Sequence, residues 1–205
     1  MVEATKVRQM TMRDDAEAVG SLRSRRSVVL RPEISGRITQ LNFSDGQRVR
    51  KGQLLVQLDD QLPRAQVQQS RAELSIARAN HKRNQELVAQ GFISQRSVDE
   101  SAANLEVAEA KLALAEATAQ RLRIVAPFDG IAGIRGVNVG DYLKDGADIV
   151  NVEDLDAVYV DFRLPERLQN KVKTGQTARV AFDALPGVQY SAVVLAINPQ
   201  IDAAG

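Results

Sequence analysis

Apolar and polar residues alternate with period two in two stretches of the chain, and the two stretches are copies of one another. SGRITQLNFSDGQRVRKGQLLVQLDD carries Gly36, Gly46 and Gly52, and DGIAGIRGVNVGDYLKDGADIVNVED carries Gly130, Gly140 and Gly146. Each glycine therefore recurs after 94 residues (36 to 130, 46 to 140, 52 to 146). Leu55 and Leu58 of the first copy fall at the positions of Ile149 and Val152 in the second. Short alternating runs punctuated by glycine predict strands joined by tight turns, and the repeat predicts two half-domains.

Between the copies, from roughly Asp60 to Ile124, the period changes to seven. Val98, Leu105, Leu112 and Ala119 recur every seventh residue, with Ser101, Ala108, Ala115 and Leu122 three residues after each. That is an a/d heptad seam on a helix. Val67, Leu74, His81 and Val88 make a weaker stripe in the same phase, with companions at Ser70, Ala77 and Asn84. Gly91 is placed to end one helix and Ser94 to cap the next, with Ile93 and Val98 where a hydrophobic staple would sit. The predicted fold-back sets Val88 against Val98, His81 against Leu105, Leu74 against Leu112 and Val67 against Ala119. At 1.5 Å per residue, arms of roughly 29 residues reach about 43 Å, so the insert is expected to project as a rod. Arg64, Arg71 and Arg78 on one arm and Glu106, Glu109 and Glu116 on the other are expected to lace adjacent copies of that rod.

Strand-type alternation returns in AVYVDFRLPE, QTARVAFDALP and YSAVVLAINPQ, and two shorter candidates lie at Thr5–Met12 and Ala16–Leu22. These flanking pieces are expected to combine into part of a barrel, since single strands leave unpaired edges. Composition then removes several functions. With 205 residues, 44% hydrophobic and 26% charged, the chain is ordinary for a globular protein of one to three domains. A net charge of +1 and 4% aromatics leave neither a basic patch nor stacking platforms, so no nucleic-acid partner is expected. Absence of cysteine excludes disulfides and thiolate metal sites. No apolar run is long enough to span a membrane, and the amino terminus lacks a secretion-signal pattern, so the chain is expected to start after a removed leader.

PEISGRI, GQRVRKGQLLVQLD, IVAPFDGIAGI, GDYLKDGADIVNVEDLDAVYVDFRLPE and VKTGQTARVAF together resemble the periplasmic adaptors, or membrane fusion proteins, of tripartite efflux pumps. APFDG at Ala126–Gly130 and YVDFRLPE at Tyr159–Glu166 look most like adaptors that serve RND-type transporters. The resemblance implies a mixed, multi-domain fold: a lipoyl-like β-sandwich interrupted by an antiparallel α-helical coiled-coil hairpin, plus an incomplete β-barrel domain. The sandwich would comprise 29–59 and 125–154, the hairpin 60–124 and the partial barrel 1–28 with 155–205; the family's membrane-proximal domain would be missing. It also implies a function as adaptor between an inner-membrane RND transporter and a TolC-like outer-membrane channel, with self-association into a trimeric or hexameric ring. The implied location is the periplasm, anchored at the inner membrane of a Gram-negative bacterium. An adaptor for an ABC-type exporter is the alternative within the family.

Family members that dock such a channel carry Arg, Leu four residues on and Ser seven further at the hairpin tip, and Arg83, Leu87 and Ser94 stand here at that spacing. Arg83 and Leu87 share a helix face at i,i+4. The plainer reading is a helix cap at Ser94 and a solvated Arg83. A biotinyl or lipoyl carrier has the same doubled half but needs a lysine on the turn between halves, and that turn is replaced here by the insert. Lys51 and Lys144 read as solvated turn residues. Catalysis has no support: His81 is the only histidine and falls in the seam, Met10 and Met12 read as packing residues, and no phosphate loop, GxSxG or HExxH occurs. No cofactor or metal is expected.

Overall fold

The computed structural model describes residues 16–165, 168 and 171–198. They divide into two compact units, one formed by Ser24–Val158 and the other by the chain on either side of it. The candidate strand at Thr5–Met12, with Met10 and Met12, lies outside the described residues.

In the larger unit each copy of the repeat contributes three strands. The first gives β2 (Gly36–Leu41), β3 (Arg48–Val49) and β4 (Leu54–Leu58). The second gives β6 (Gly130–Ala132), β7 (Tyr142–Leu143) and β8 (Val150–Phe162). With β1 (Gly20–Leu30) and β5 (Arg123–Val125) they form two four-stranded sheets, ordered β1-β8-β6-β3 and β5-β4-β2-β7. Each sheet thus borrows its edge strand from the other copy. Gly36 pairs with Leu143, and at the equivalent place Val49 pairs with Gly130. The turn glycines repeat this exchange. Gly46 has φ +74° and Gly140 φ +98°, a region where a Cβ is costly. Their N–H groups donate across the copies, Gly46 to the Ala132 carbonyl and Gly140 to the Ile38 carbonyl, both at 2.9 Å. Gly52 and Gly146 donate likewise to Ala126 and Pro32 at 2.8 and 2.9 Å. Gly36 and Gly130 lie in strands, where they matter for close approach instead.

The core between the sheets is aliphatic, and Ile38, Val49, Leu55, Val56, Leu58 and Val152 are almost wholly buried. Leu55, Leu58, Ile149 and Val152, equivalent positions in the two copies, all belong to it. Leu122 belongs to it as well. The heptad pattern extends to Leu122, but the helix ends at Gln120, and Leu122 turns inward to the sheets while its carbonyl accepts from Leu58 N–H at 2.9 Å. At the other end, the strand expected at Ala16–Leu22 begins only at Gly20 and continues to Leu30.

Two helices, α1 (Gln61–Ala89) and α2 (Gln95–Gln120), leave the sandwich between β4 and β5. They run antiparallel, as Arg71–Glu116, Glu73–Lys111, Arg78–Glu109 and His81–Ser101 contacts require. Burial follows the seven-residue stripe: Ser70, Val98, Ser101, Ala108 and Ala115 are buried, and Val67, Leu74, Ala77, Leu105, Leu112 and Ala119 half-buried. The arginines expected to reach neighbouring copies are engaged at home. Arg71 meets Glu116 at 3.0 Å, Arg78 meets Glu109 at 3.4 Å and Arg64 bonds Asp60 one turn earlier at 2.7 Å. Being exposed, each is worth about 0–1 kcal/mol.

In the second unit β9 (Thr177–Ala181) and β10 (Gln189–Val193) pair antiparallel, and Phe182 packs on Tyr190 with ring centres 5.3 Å apart. Arg23 bonds Asp161 at 2.9 Å, which strengthens its hold on its proton.

Two outcomes are expected. An added Cβ at Gly130 would lie 2.5 Å from the Glu153 carbonyl oxygen, whereas at Gly36 it would meet side chains alone, Leu58 at 3.3 Å and Leu122 at 3.8 Å. Gly130→Ala should therefore cost about 2–4 kcal/mol in urea unfolding and Gly36→Ala about 1 kcal/mol or less; equal losses would contradict the close approach. Leu112→Asp, which puts a charge into the seam, should lower stability by about 2–4 kcal/mol, and an unchanged unfolding midpoint would refute the helix pairing.

Candidate functional site

The far end of the helix pair is built from a helix stop, a three-residue bend and a helix start. Gly91, with φ +76°, sits just past α1. Its N–H donates to the Val88 carbonyl at 3.0 Å, and Phe92 N–H donates to the Leu87 carbonyl at 2.9 Å. This is a Schellman closure, which satisfies two carbonyls that the helix end would leave bare. Ser94 then takes the cap position of α2, with extended backbone at φ −82° and ψ 157°. Its side chain does not cap a backbone N–H, contrary to the expected pattern. Ser94 Oγ instead lies 3.3 Å from Ser97 Oγ, and the Ser97 N–H is held by the Ser94 carbonyl at 3.1 Å. Tight 3₁₀-type closure of the first turn thus replaces side-chain capping.

Arg83 is exposed, Leu87 half-buried and Ser94 exposed, all near this bend. Arg83 has no ion-pair partner among the described residues, whereas Arg96 in the first turn of α2 is held by Glu100 at 3.0 Å. Phe92 was not anticipated. A Schellman closure usually tucks the residue after the glycine against the last turn, yet Phe92 is 72% exposed. The signal was legible, because an aromatic directly follows the helix-ending glycine.

Behind the bend the seam is polar. Asn84 Nδ2 donates to the Ser97 carbonyl at 3.3 Å. Ser101 Oγ donates to the Val98 carbonyl at 2.8 Å, which leaves that oxygen to accept from His81 Nδ1–H at 2.9 Å. Nε2 of His81 then accepts from Gln85 Nε2 at 3.0 Å. His81 is thereby tied to Ser101, where sequence pairing set it against Leu105. Polar layers of this kind fix register between helices more than they add stability.

At the opposite end the helices are clamped to the sandwich. Arg121 donates to Glu33 at 2.9 Å and Asp59 accepts from the Gln61 N–H at 3.2 Å. Within the sandwich Arg48 forks onto both oxygens of Asp156 at 2.6 Å, and that bond makes its guanidinium harder to deprotonate. Among the described residues no group of acidic or histidine side chains is placed to hold a metal, and no helix is long and apolar enough to cross a membrane. Lys51 and Lys144 are exposed at turns.

The family model for the RND MFP (membrane fusion protein) barrel-sandwich hybrid domain matches residues 26–154, most of the chain. The chain belongs to the RND membrane fusion protein family. A CusB-like β-barrel domain model follows at residues 157–205. This family comprises efflux adaptors, non-enzymatic structural linkers. An uncharacterized protein of Haemophilus influenzae is 36% identical over 183 residues, covering 89% of this chain and 48% of its own. The multidrug resistance protein MdtA of Pectobacterium carotovorum is 32% identical over 207 residues, covering 90% of this chain and 50% of its own. The chain thus spans about half the length of the curated relatives it matches. Among solved structures, a MacA-MexA chimera containing the Pseudomonas aeruginosa MexA alpha-hairpin domain superposes with TM-score 0.78 at 26% identity, over 89% of this chain and 67% of that one. A putative efflux transporter from Bacteroides eggerthii gives TM-score 0.69 at 27% identity, over 84% and 53%.

Gly91→Ala in this membrane fusion protein should cost about 1–2 kcal/mol, since only the left-handed backbone is strained. Phe92→Ala should leave the melting midpoint unchanged, because that ring is already in water. A large loss for Phe92→Ala would show that the ring packs within the chain.

Proposed function

We propose that this chain is the adaptor of a tripartite efflux pump, linking an inner-membrane RND transporter to a TolC-like outer-membrane channel in the periplasm of a Gram-negative bacterium. In this reading α1 and α2 form a coiled-coil hairpin, 60–124, set into a lipoyl-like sandwich of 29–59 and 125–154, with residues 1–28 and 155–205 contributing to a barrel. The β parts seat on the transporter, and several rods stand side by side in a trimeric or hexameric ring. The observation that carries the reading is the tip itself. Helices of 29 and 26 residues hold Arg83, Leu87 and Ser94 at a rigid bend, tens of ångströms along the rod from the sheets. Arg83, with no ion-pair partner among the described residues, is available to carbonyls or carboxylates of a helical partner, and Leu87 supplies an apolar knob beside it. The match to the RND model supports an RND transporter over an ABC exporter, and MdtA is a multidrug resistance protein.

Leu87→Asp is expected to abolish drug resistance in cells while the purified protein keeps a melting midpoint near that of the parent. Retained resistance would argue against tip docking. A photo-crosslinker at position 92 should capture the outer-membrane channel; one on the sandwich should recover the inner-membrane partner, whose class separates RND from ABC.

A further inference from the structure

Aspartate precedes glycine at Asp45–Gly46, Asp129–Gly130 and Asp145–Gly146, and all of these steps lie in the repeat. At an Asp–Gly step a chain rearranges readily without any enzyme, because glycine has no side chain to shield its amide nitrogen. That nitrogen attacks Cγ of the preceding aspartic acid: the N–Cγ bond forms, the Cγ–OH bond breaks and a water leaves, giving a cyclic succinimide. Water then adds at the main-chain carbonyl carbon of the aspartate and the old peptide bond breaks. The chain now runs through Cβ and Cγ as isoaspartate, with a free α-carboxylate. Water alone leaves and enters, and nothing is oxidised or reduced. Ring closure needs the glycine N–H released and the carboxyl free to swing onto it, so hydrogen bonds to either group hold it back.

We infer that Asp145–Gly146 is the step at which the folded chain converts to isoaspartate, the other two being protected by their contacts. Asp129 is held: its Oδ1 accepts from the Lys51 N–H at 2.8 Å, and Gly130 is buried in β6 opposite Val49, tight against the Glu153 carbonyl. Asp45 and Asp145 form a matched comparison. Each precedes an exposed glycine of positive φ in a turn closed by a backbone bond, Gln47 N–H to the Ser44 carbonyl at 3.1 Å and Ala147 N–H to the Lys144 carbonyl at 3.2 Å. Gly46 and Gly146 also donate across the copies at the same 2.9 Å. Only the carboxylates differ. Asp45 Oδ1 accepts from the Arg135 N–H at 3.1 Å, with the Arg135 guanidinium 3.7 Å away. Asp145 Oδ1 accepts from the Ser35 hydroxyl at 3.4 Å, longer than an ordinary O–H···O bond, and has no ion-pair partner among the described residues. The same hydroxyl accepts from the Asp145 N–H at 3.1 Å. Conversion lengthens the main chain at this turn, which draws the Gly146 N–H away from the Pro32 carbonyl and the Asp145 N–H away from Ser35, so one latch between the copies opens. Nothing in this chemistry depends on the adaptor role.

Purified protein kept folded at neutral pH and moderate warmth for several weeks should gain isoaspartate at Asp145 roughly tenfold faster than at Asp45 or Asp129. The readouts are electron-transfer fragmentation of its peptides and labelling by an isoaspartyl methyltransferase. In concentrated urea, where no tether survives, the three steps should convert at similar rates. Ser35→Ala, at an exposed position, should speed conversion at Asp145 and leave Asp45 and Asp129 as they were. Asp145→Glu, which would have to close a larger ring, should abolish the signal there. Protein converted at Asp145 should melt below fresh protein, and an equal midpoint overturns the opened latch. Equal rates at the three steps in the folded chain, the same ranking in urea, no isoaspartate at Asp145, or an Asp145 rate unmoved by Ser35→Ala overturns the assignment of the site.

Discussion

Reciprocal borrowing of strands holds the sandwich together. β7 completes the sheet begun by β2 and β4, and β3 completes the sheet begun by β6 and β8, so neither copy of the repeat has a finished sheet alone. The exchange is enforced at matching atoms: Gly46 to Ala132 and Gly140 to Ile38 are the same hydrogen bond written twice, as are Lys51 N–H to Asp129 and Asp145 N–H to Ser35. An aliphatic core then fills the space between two sheets of mixed parentage. Because the exchange fixes where β4 ends and β5 begins, it also fixes the spacing and direction of the two helices that rise there. The tip inherits its rigidity from this base.

What could be read from the chain alone divides along physical lines. Period-two and period-seven patterns are signatures of which side chains must leave water, so the repeat and the stripe from Val67 to Ala119 were legible residue by residue. The exchange of edge strands was not, since strands of two residues, such as β3 and β7, carry no periodicity and are defined by their partners. Leu122 shows the same limit: its heptad position and its place in the sandwich core demand the same apolar side chain, and only the helix end at Gln120 decides between them. Ser94 was legible as a cap position but not in its bonding, because a hydroxyl chooses among acceptors by local geometry.

The tip and the shaft of the helix pair follow different rules. The shaft uses small and aliphatic seam residues with ion pairs on its flank, whereas the last turns before the bend use His81, Asn84 and Ser101. Apolar seams tolerate sliding, and hydrogen-bonded layers do not. A polar layer close behind the bend therefore fixes the register of the two helices that carry Leu87 and Ser94. The resemblance pointed to Arg83, Leu87 and Ser94 near this bend and passed over Phe92, although an aromatic directly after the helix-ending glycine is visible in the sequence.

The helix pair has a consequence for how the chain acquires its shape. The strands that pair across the copies lie 81 to 107 residues apart (Val49 with Gly130, Gly36 with Leu143), a separation that would make their meeting slow if everything between them were loose coil. Helices α1 and α2 are built from neighbouring residues and fold back on a five-residue connection, so their pairing brings Gln57 beside Arg123, its partner in the β4–β5 pair. Loop closure then involves only a few flexible residues, and the entropy of joining the repeats is largely met by local structure. The helix pair thus shortens the effective loop that separates the two copies.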